Sequence, residues 1–283
     1  MTIRHPGPVG PTSILPPLKS KRIWLIGGTQ ESAILAQAIA QQDMDQTITV
    51  TTESARSLYP SIHPHHIWVV VLTPKTLPNF LASQEIGAIV DASHPFATGI
   101  SELAIATAQE YNLPYIRYER PTTPMPYNPA CTVQVDRIEA LLDHDYLRNQ
   151  RVLLTLGYRL LHHFKTWHDR ATLFARILPS NTALNAALDA GFTSKQLIAL
   201  RPPLSFALEK ALYQHWDIST VVTKASGAAG GEDIKQQVAS ELGIRLITIA
   251  RPEMAYPQQT SRVREAIAFC QTHVGQSVPC LLS

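Results

Sequence analysis

Residues 22–40 read RIWLIGGTQESAILAQAIA, and this stretch decides the fold. Arg22 to Ile26 is an apolar run of strand length. Beyond Gly27 and Gly28 the rhythm changes. Ile34, Leu35, Ala38 and Ile39 recur at i, i+1, i+4 and i+5, the buried face of a helix across Ser32 to Gln41. A strand that runs through two glycines and a threonine into a helix is the opening of an α/β unit. The glycines let the backbone turn sharply and approach a ligand closely, and the N–H groups at the positive helix end favour an anion. Gly27, Gly28 and Thr29 therefore suit the pyrophosphate of a dinucleotide, and Glu31, in the first helical turn, is a further cofactor-binding candidate. The full G-x-G-x-x-G spacing is absent, so a plain tight turn is the alternative for this stretch alone.

Outward from it the same alternation continues. Strands are predicted at Thr47–Thr51, Ile67–Leu72, Ala88–Asp91 and Tyr115–Tyr118, with helices at Ala55–Leu58, Leu77–Ser83 and Gly99–Glu110. Four prolines within residues 121–129 break regular structure and mark a crossing between domains. Beyond them come strands Thr132–Val135, Val152–Thr155, Thr172–Leu178, Leu197–Leu200, Thr220–Thr223 and Leu246–Ile249. The helices between and after them are Ile138–Leu147, Ala183–Ala190, Leu204–His215, Ile234–Leu242 and Arg262–His273. This is the pattern of parallel sheets covered on both faces. The expected architecture is α/β, two Rossmann-like domains with parallel sheets flanked by helices. Residues 1–20, with five prolines, form a flexible extension; 21–125 the dinucleotide-binding domain; 126–283 a second, substrate-binding α/β domain.

Bulk properties agree with that division. A chain of 283 residues exceeds the usual domain size of roughly 100 to 200 residues, and 45% hydrophobic against 16% charged residues is an ordinary globular balance. A formal charge of +2 without a dense basic block gives no reason to expect nucleic acid. Three cysteines without a C-x-x-C pair suggest neither a disulfide framework nor a thiolate metal site. No run approaches the ~20 apolar residues that span a bilayer. The expectation is a cytoplasmic enzyme, a monomer or weak homo-oligomer, with no membrane partner and no metal. His63, His65 and His66, and His162, His163 and His168, lack nearby carboxylates at ligand spacing and read as solvated faces.

Four further stretches carry chemistry. At the end of the second strand, VTTESARSLYP, Glu53 suits a free ribose 2′-hydroxyl whereas Ser54 and Arg56 suit a 2′-phosphate. The reading leans to NADPH and leaves NADH open. In IVDASHPFATGIS a buried strand ends at Asp91 and leads through Ser93, His94 and Phe96 into a helix. Strand ends line the ligand crevice of such folds, and His94 adds a titratable ring. In the second half, VLLTLGYRLLHHF and VVTKASGAAGGED again put glycines and polar groups just after a buried strand. Lys224, Ser226 and Gly227 are suited to receiving carboxylates. A flexible surface loop is the alternative, but it leaves a lysine at a strand terminus unexplained.

Taken together, GGTQE at 27–31, DASHPFA at 91–97, the Gly157 turn and TKASGAAGGE at 223–232 resemble the precorrin-6A reductase family of cobalamin biosynthesis, in order and spacing, from about Lys21 to His273. The resemblance implies an oxidoreductase that moves hydride from NAD(P)H to a double bond of precorrin-6A or its cobalt form. It implies that Gly28, Thr29 and their backbone hold the pyrophosphate, and that Ser93, His94 and Phe96 border the nicotinamide or the macrocycle. It also implies an active site in the cleft between the two domains, where Lys224, Ser226 and Gly227 would face substrate, with Lys224 and His94 as the catalytic candidates. The substrate carries many carboxylates, and Arg117, Arg120, Arg159, Arg176, Arg201 and Arg251, near predicted strand ends, are candidate clamps, Arg159 and Arg176 first among them. A short-chain dehydrogenase is disfavoured because no tyrosine has a lysine four positions on. A non-catalytic NAD(P)H sensor is the remaining rival.

Overall fold

A computed structural model describes residues 21–120 and 131–274. The proline-rich extension and the 121–129 crossing anticipated above lie outside the described residues. The first half runs β1 (Arg22–Ile26), α1 (Gln30–Ala40), β2 (Gln46–Val50), α2 (Glu53–Arg56), β3 (Ile67–Val69), α3 (Leu77–Ser83), β4 (Ile86–Asp91), α4 (Thr98–Glu110) and β5 (Tyr115–Tyr118). The second runs β6 (Thr132–Val135), α5 (Ile138–Leu142), β7 (Arg151–Leu154), β8 (Thr172–Ile177), α6 (Asn181–Asp189), β9 (Leu197–Ala199), α7 (Phe206–His215), β10 (Thr220–Lys224), α8 (Glu232–Leu242) and β11 (Arg245–Ile249). The chain closes with β12 (Gln259–Thr260) and α9 (Val263–Val274).

Two six-stranded sheets result, ordered β12-β5-β4-β1-β2-β3 and β6-β11-β10-β7-β8-β9, and every pairing is parallel. Strand β1 shows why both faces must be covered. Ile23 and Leu25 enter one core with helices α1 and α9, while Trp24 and Ile26 enter the opposite core with α3 and α4. The indole of Trp24 is fully buried and donates to Thr49 Oγ1 at 2.9 Å. In each sheet the chain reverses its direction of growth between two central strands, β1 and β4 in the first and β7 and β10 in the second. At such a switch point the loops leaving the two strands part, and their carboxyl ends open a crevice.

The structure departs from the sequence reading in several places, among them the strand expected to reach Leu72, which ends at Val69. β12 pairs with β5, and α9 packs Ala266, Phe269 and Cys270 into the core beside β1 and β4. The division at residue 126 had put this C-terminal segment with the second half; it joins the first sheet. The segment read as a loop after β7 contains a ten-residue 3-10 helix, Tyr158–Trp167, entered through Gly157 at φ +75°. Its buried residues, Leu161, Phe164 and Trp167, recur every three positions, as a three-residue turn requires. The helix predicted across Ile138–Leu147 stops at Leu142. His144 is extended, and Leu147 reaches the core from a separate turn.

Candidate active site

A cavity of about 320 Å³ lies between the carboxyl ends of the two sheets. The first half contributes Gly28, Thr29 and Glu31 after β1, and Ser93 and His94 after β4. The second contributes Ser226, Gly227, Ala228 and Gly230 after β10, and Arg251 after β11.

On the first side the turn is tightly determined. Gly28 adopts φ +102°, and a Cβ placed there would meet nothing within 4 Å, so its face is open to the cleft. Gly27 is the opposite case, because a Cβ there would sit 2.2 Å from the Tyr59 hydroxyl. Thr29 caps α1 by accepting from the Ser32 N–H at 3.1 Å, and its own hydroxyl donates to the Ala92 carbonyl at 3.0 Å, joining the turn after β1 to the loop after β4. The Gln30 and Glu31 N–H groups fall in the first helical turn, where no intrahelical acceptor exists. An open glycine face beside a helix N-terminus fits a dinucleotide pyrophosphate. Glu31 is paired with Arg120.

His94 Nδ1 accepts the Phe96 N–H at 3.2 Å, which leaves its proton on Nε2. His94 keeps part of its surface exposed at the cleft mouth, yet desolvation of the ring there, reinforced by the positive charge of Lys224, pulls its pKa down to about 4. The ring is therefore a neutral hydrogen-bond donor at physiological pH. Lys224 places Nζ 4.8 Å from the centre of the Phe96 ring, a cation–π contact between the halves. Phe96, though in the first half, packs against the core of the second. Burial and the nearby Arg159 lower the Lys224 pKa to about 8.

Beneath the cleft runs a chain of ion pairs that no local sequence pattern announces. Asp91 is fully buried and accepts from Arg117 at 2.9 Å, the Ser93 N–H at 3.0 Å, the Ser101 hydroxyl at 2.5 Å and the Tyr115 hydroxyl at 2.9 Å. Arg117, equally buried, also donates to Glu119 at 3.0 Å and lies over the Tyr256 ring. Burial opposes its charge, but Asp91 leads the groups that more than offset this, and the pKa is raised. Glu119 then meets Arg251 at 2.6 Å, and Arg251 donates to the Ala225 carbonyl at 2.9 Å. A continuous polar path thus leads from the loop that carries His94 to the loop that carries Ser226. On the second side, Glu232 accepts the Gly227 N–H at 2.7 Å, and the buried ammonium of Lys235 holds the Gly230 and Gly231 carbonyls at 2.6 and 3.1 Å.

Of the residues singled out from sequence, Gly28, Thr29, Glu31, Ser93, His94, Ser226 and Gly227 line the cavity. Gly27 lies behind it, and Phe96 and Lys224 stack on each other between the halves without lining it. Ser54 is exposed on α2, and Arg56 is held by Glu53 and the Ile67 carbonyl. Arg159 is exposed and rests on the Tyr158 ring. Arg176 is a correction. It is bound at 2.6 Å to Glu209, itself buried and bonded to Tyr213, and serves the core between β8 and α7 instead of the cleft wall. Arg117, Arg120 and Arg251 likewise have carboxylate partners already. Sequence reasoning passed over Tyr59 and Glu119, whose partners lie 31 and 132 residues away.

Comparison with known proteins reaches the same place. The family model described as Precorrin-6x reductase CbiJ/CobK matches residues 22–271. A cobalt-precorrin-6A reductase from Synechocystis sp. is 48% identical over 89% of this chain and 97% of its own length. One from Priestia megaterium is 31% identical over 87% and 96%. The solved structure of a CobK precorrin-6A reductase has a TM-score of 0.74, covering 91% of this chain and all of that one, at 20% identity, and so shares the fold. With nearly every described residue inside the match, the chain belongs to the precorrin-6x reductase family, oxidoreductases of cobalamin biosynthesis.

Proposed function

We propose that this protein reduces cobalt-precorrin-6A, with NADPH as donor, by adding one hydride and one proton across a double bond of the macrocycle. The observation that carries the reading is the meeting of two switch points. An open glycine turn at a helix N-terminus on one wall and, on the other, the glycine loop that follows Lys224 bound a single cavity. Such a cleft can hold two different molecules face to face, and alignment of two bound reactants is the largest part of what hydride transfer needs. The cobalt-bearing substrate is favoured by the 48% identical relative of that name. NADPH is favoured by Arg56, whose pair with Glu53 is 3.3 Å long and half exposed. So weak a surface pair yields readily to a 2′-phosphate.

The nicotinamide cofactor, when bound, supplies the hydride. The chain's own groups do the rest. Gly28 lets the backbone approach the pyrophosphate, and the first turn of α1 offers N–H donors. His94, neutral and with its proton on Nε2, donates a hydrogen bond into the cleft without adding charge. Lys224 brings a positive charge to the side where electron density gathers as a carbon–nitrogen system is reduced, and stabilises it there. The contacts of Phe96 with Lys224 and of Glu119 with Arg251 keep the two walls in register. Anaerobic mixing of the protein with NADPH and cobalt-precorrin-6A tests the reading. Loss of nicotinamide absorbance matched by macrocycle reduction is expected; tight cofactor binding without turnover would favour the sensor instead.

A further inference from the structure

Tyr59 follows α2 and is buried, at 3% exposure, directly behind the glycine turn. Its hydroxyl accepts the Gly28 N–H at 2.7 Å and lies 2.6 Å from the Ser32 hydroxyl. Ser32 Oγ in turn accepts the Thr29 N–H at 3.0 Å and donates to the Thr29 carbonyl at 2.6 Å. A serine hydroxyl has one proton and two lone pairs. Once that proton is on the Thr29 carbonyl, the phenol must be the donor to Ser32. The path is therefore directional: Gly28 N–H to Tyr59, Tyr59 O–H to Ser32, Ser32 O–H to the Thr29 carbonyl. Gly28 and Thr29, the two amides that a glycine turn would be expected to offer a phosphate, are both engaged within the protein. The donors that remain at this end of α1 are those of Gln30 and Glu31.

We propose that Tyr59 is a positioning residue of the cofactor turn, its hydroxyl fixing Gly28 so that the first turn of α1 presents the Gln30 and Glu31 amides to the pyrophosphate. This rests on the dinucleotide reading above. It also explains why position 27 requires glycine: a Cβ there meets the Tyr59 Oη at 2.2 Å, whereas its next contacts, with Ile48 Cγ2 and Tyr59 Cζ, are at 3.1 and 3.2 Å and tolerable with slight movement. Because Tyr59 lies just beyond α2, the hydroxyl joins the segment after β2, where an adenosine ribose sits in folds of this kind, to the turn after β1.

The test measures NADPH affinity by fluorescence titration and macrocycle affinity separately, in wild type, Tyr59→Phe, Ser32→Ala, Gly27→Ala and the double variant Gly27→Ala/Tyr59→Phe. Tyr59→Phe is expected to weaken NADPH about tenfold, the scale of one hydrogen bond lost from a rigid turn, and to leave macrocycle affinity unchanged. Ser32→Ala, which breaks the path from its other end, should do the same. Gly27→Ala should lose NADPH binding, and adding Tyr59→Phe should restore part of it by removing the clashing oxygen, a rescue that no general loss of stability would produce. Wild-type affinity in Tyr59→Phe, or a Gly27→Ala defect that Tyr59→Phe leaves untouched, would overturn the proposal. A wild-type protein that binds neither NADPH nor NADH would instead overturn the dinucleotide reading beneath it.

Discussion

Single side chains at the cleft have tunable charge, and their signs can be worked out. Lys224, with its pKa lowered to about 8, is charged below that value and neutral above it. Since kcat/KM reports groups of the free enzyme, it should be level below about pH 8 and fall above it; in Lys224→Ala the level should drop and the alkaline fall disappear. His94, at about 4, is neutral throughout this range. A limb near pH 6.5 that vanishes in His94→Gln would show that the ring titrates normally and that its assigned neutral role is wrong. At this scale the sequence was legible where a residue stands at a strand end, as Gly28, His94 and Ser226 do. It was misleading for the arginines. Position near a strand end suggested free carboxylate clamps, yet Arg117 and Arg176 are saturated by Asp91 and Glu209, partners 26 and 33 residues distant that no short-range pattern reveals.

Elements were more legible than their partners. The β1–turn–α1 unit is local, set by apolar spacing and two glycines, and forms where it was read, although its buried face is Ser32, Leu35, Ala36 and Ile39 while Ile34, expected in that face, is exposed. β12 is only two residues long, and α9 has an ordinary apolar stripe, so nothing local says which sheet they cover. Their destination depends on the unpaired edge of β5 and the uncovered face beside β1 and β4. Phe269→Ala should therefore destabilise the first half by about 3–5 kcal/mol, the range for a buried aromatic, and leave the second half's unfolding transition in urea unmoved. The ion chain makes a second claim at this scale. Arg117→Met strands the buried Asp91 carboxylate and should cost about 3–5 kcal/mol, while the further change Asp91→Asn should recover a large part. If the double variant is no more stable than Arg117→Met, Asp91 is not sustained by that arginine.

The whole molecule repeats one idea. Each sheet has five strands in equivalent order and a sixth at the same edge, supplied by β12 in the first half and by β6 in the second. The switch points of the two sheets face each other, so the cofactor loop and the substrate loop are brought together by topology and held by Phe96–Lys224 and Glu119–Arg251. None of the described helices is long and apolar enough to cross a membrane. In the proposed reaction hydride passes directly across this cleft between two bound molecules. The decisive measurement is a single turnover with NADPH deuterated at the transferring carbon, followed by mass analysis of the reduced macrocycle. One deuterium is expected in the product, with the second hydrogen coming from solvent. Oxidation of the nicotinamide without transfer of the label, or a macrocycle that takes both hydrogens from water, would contradict it.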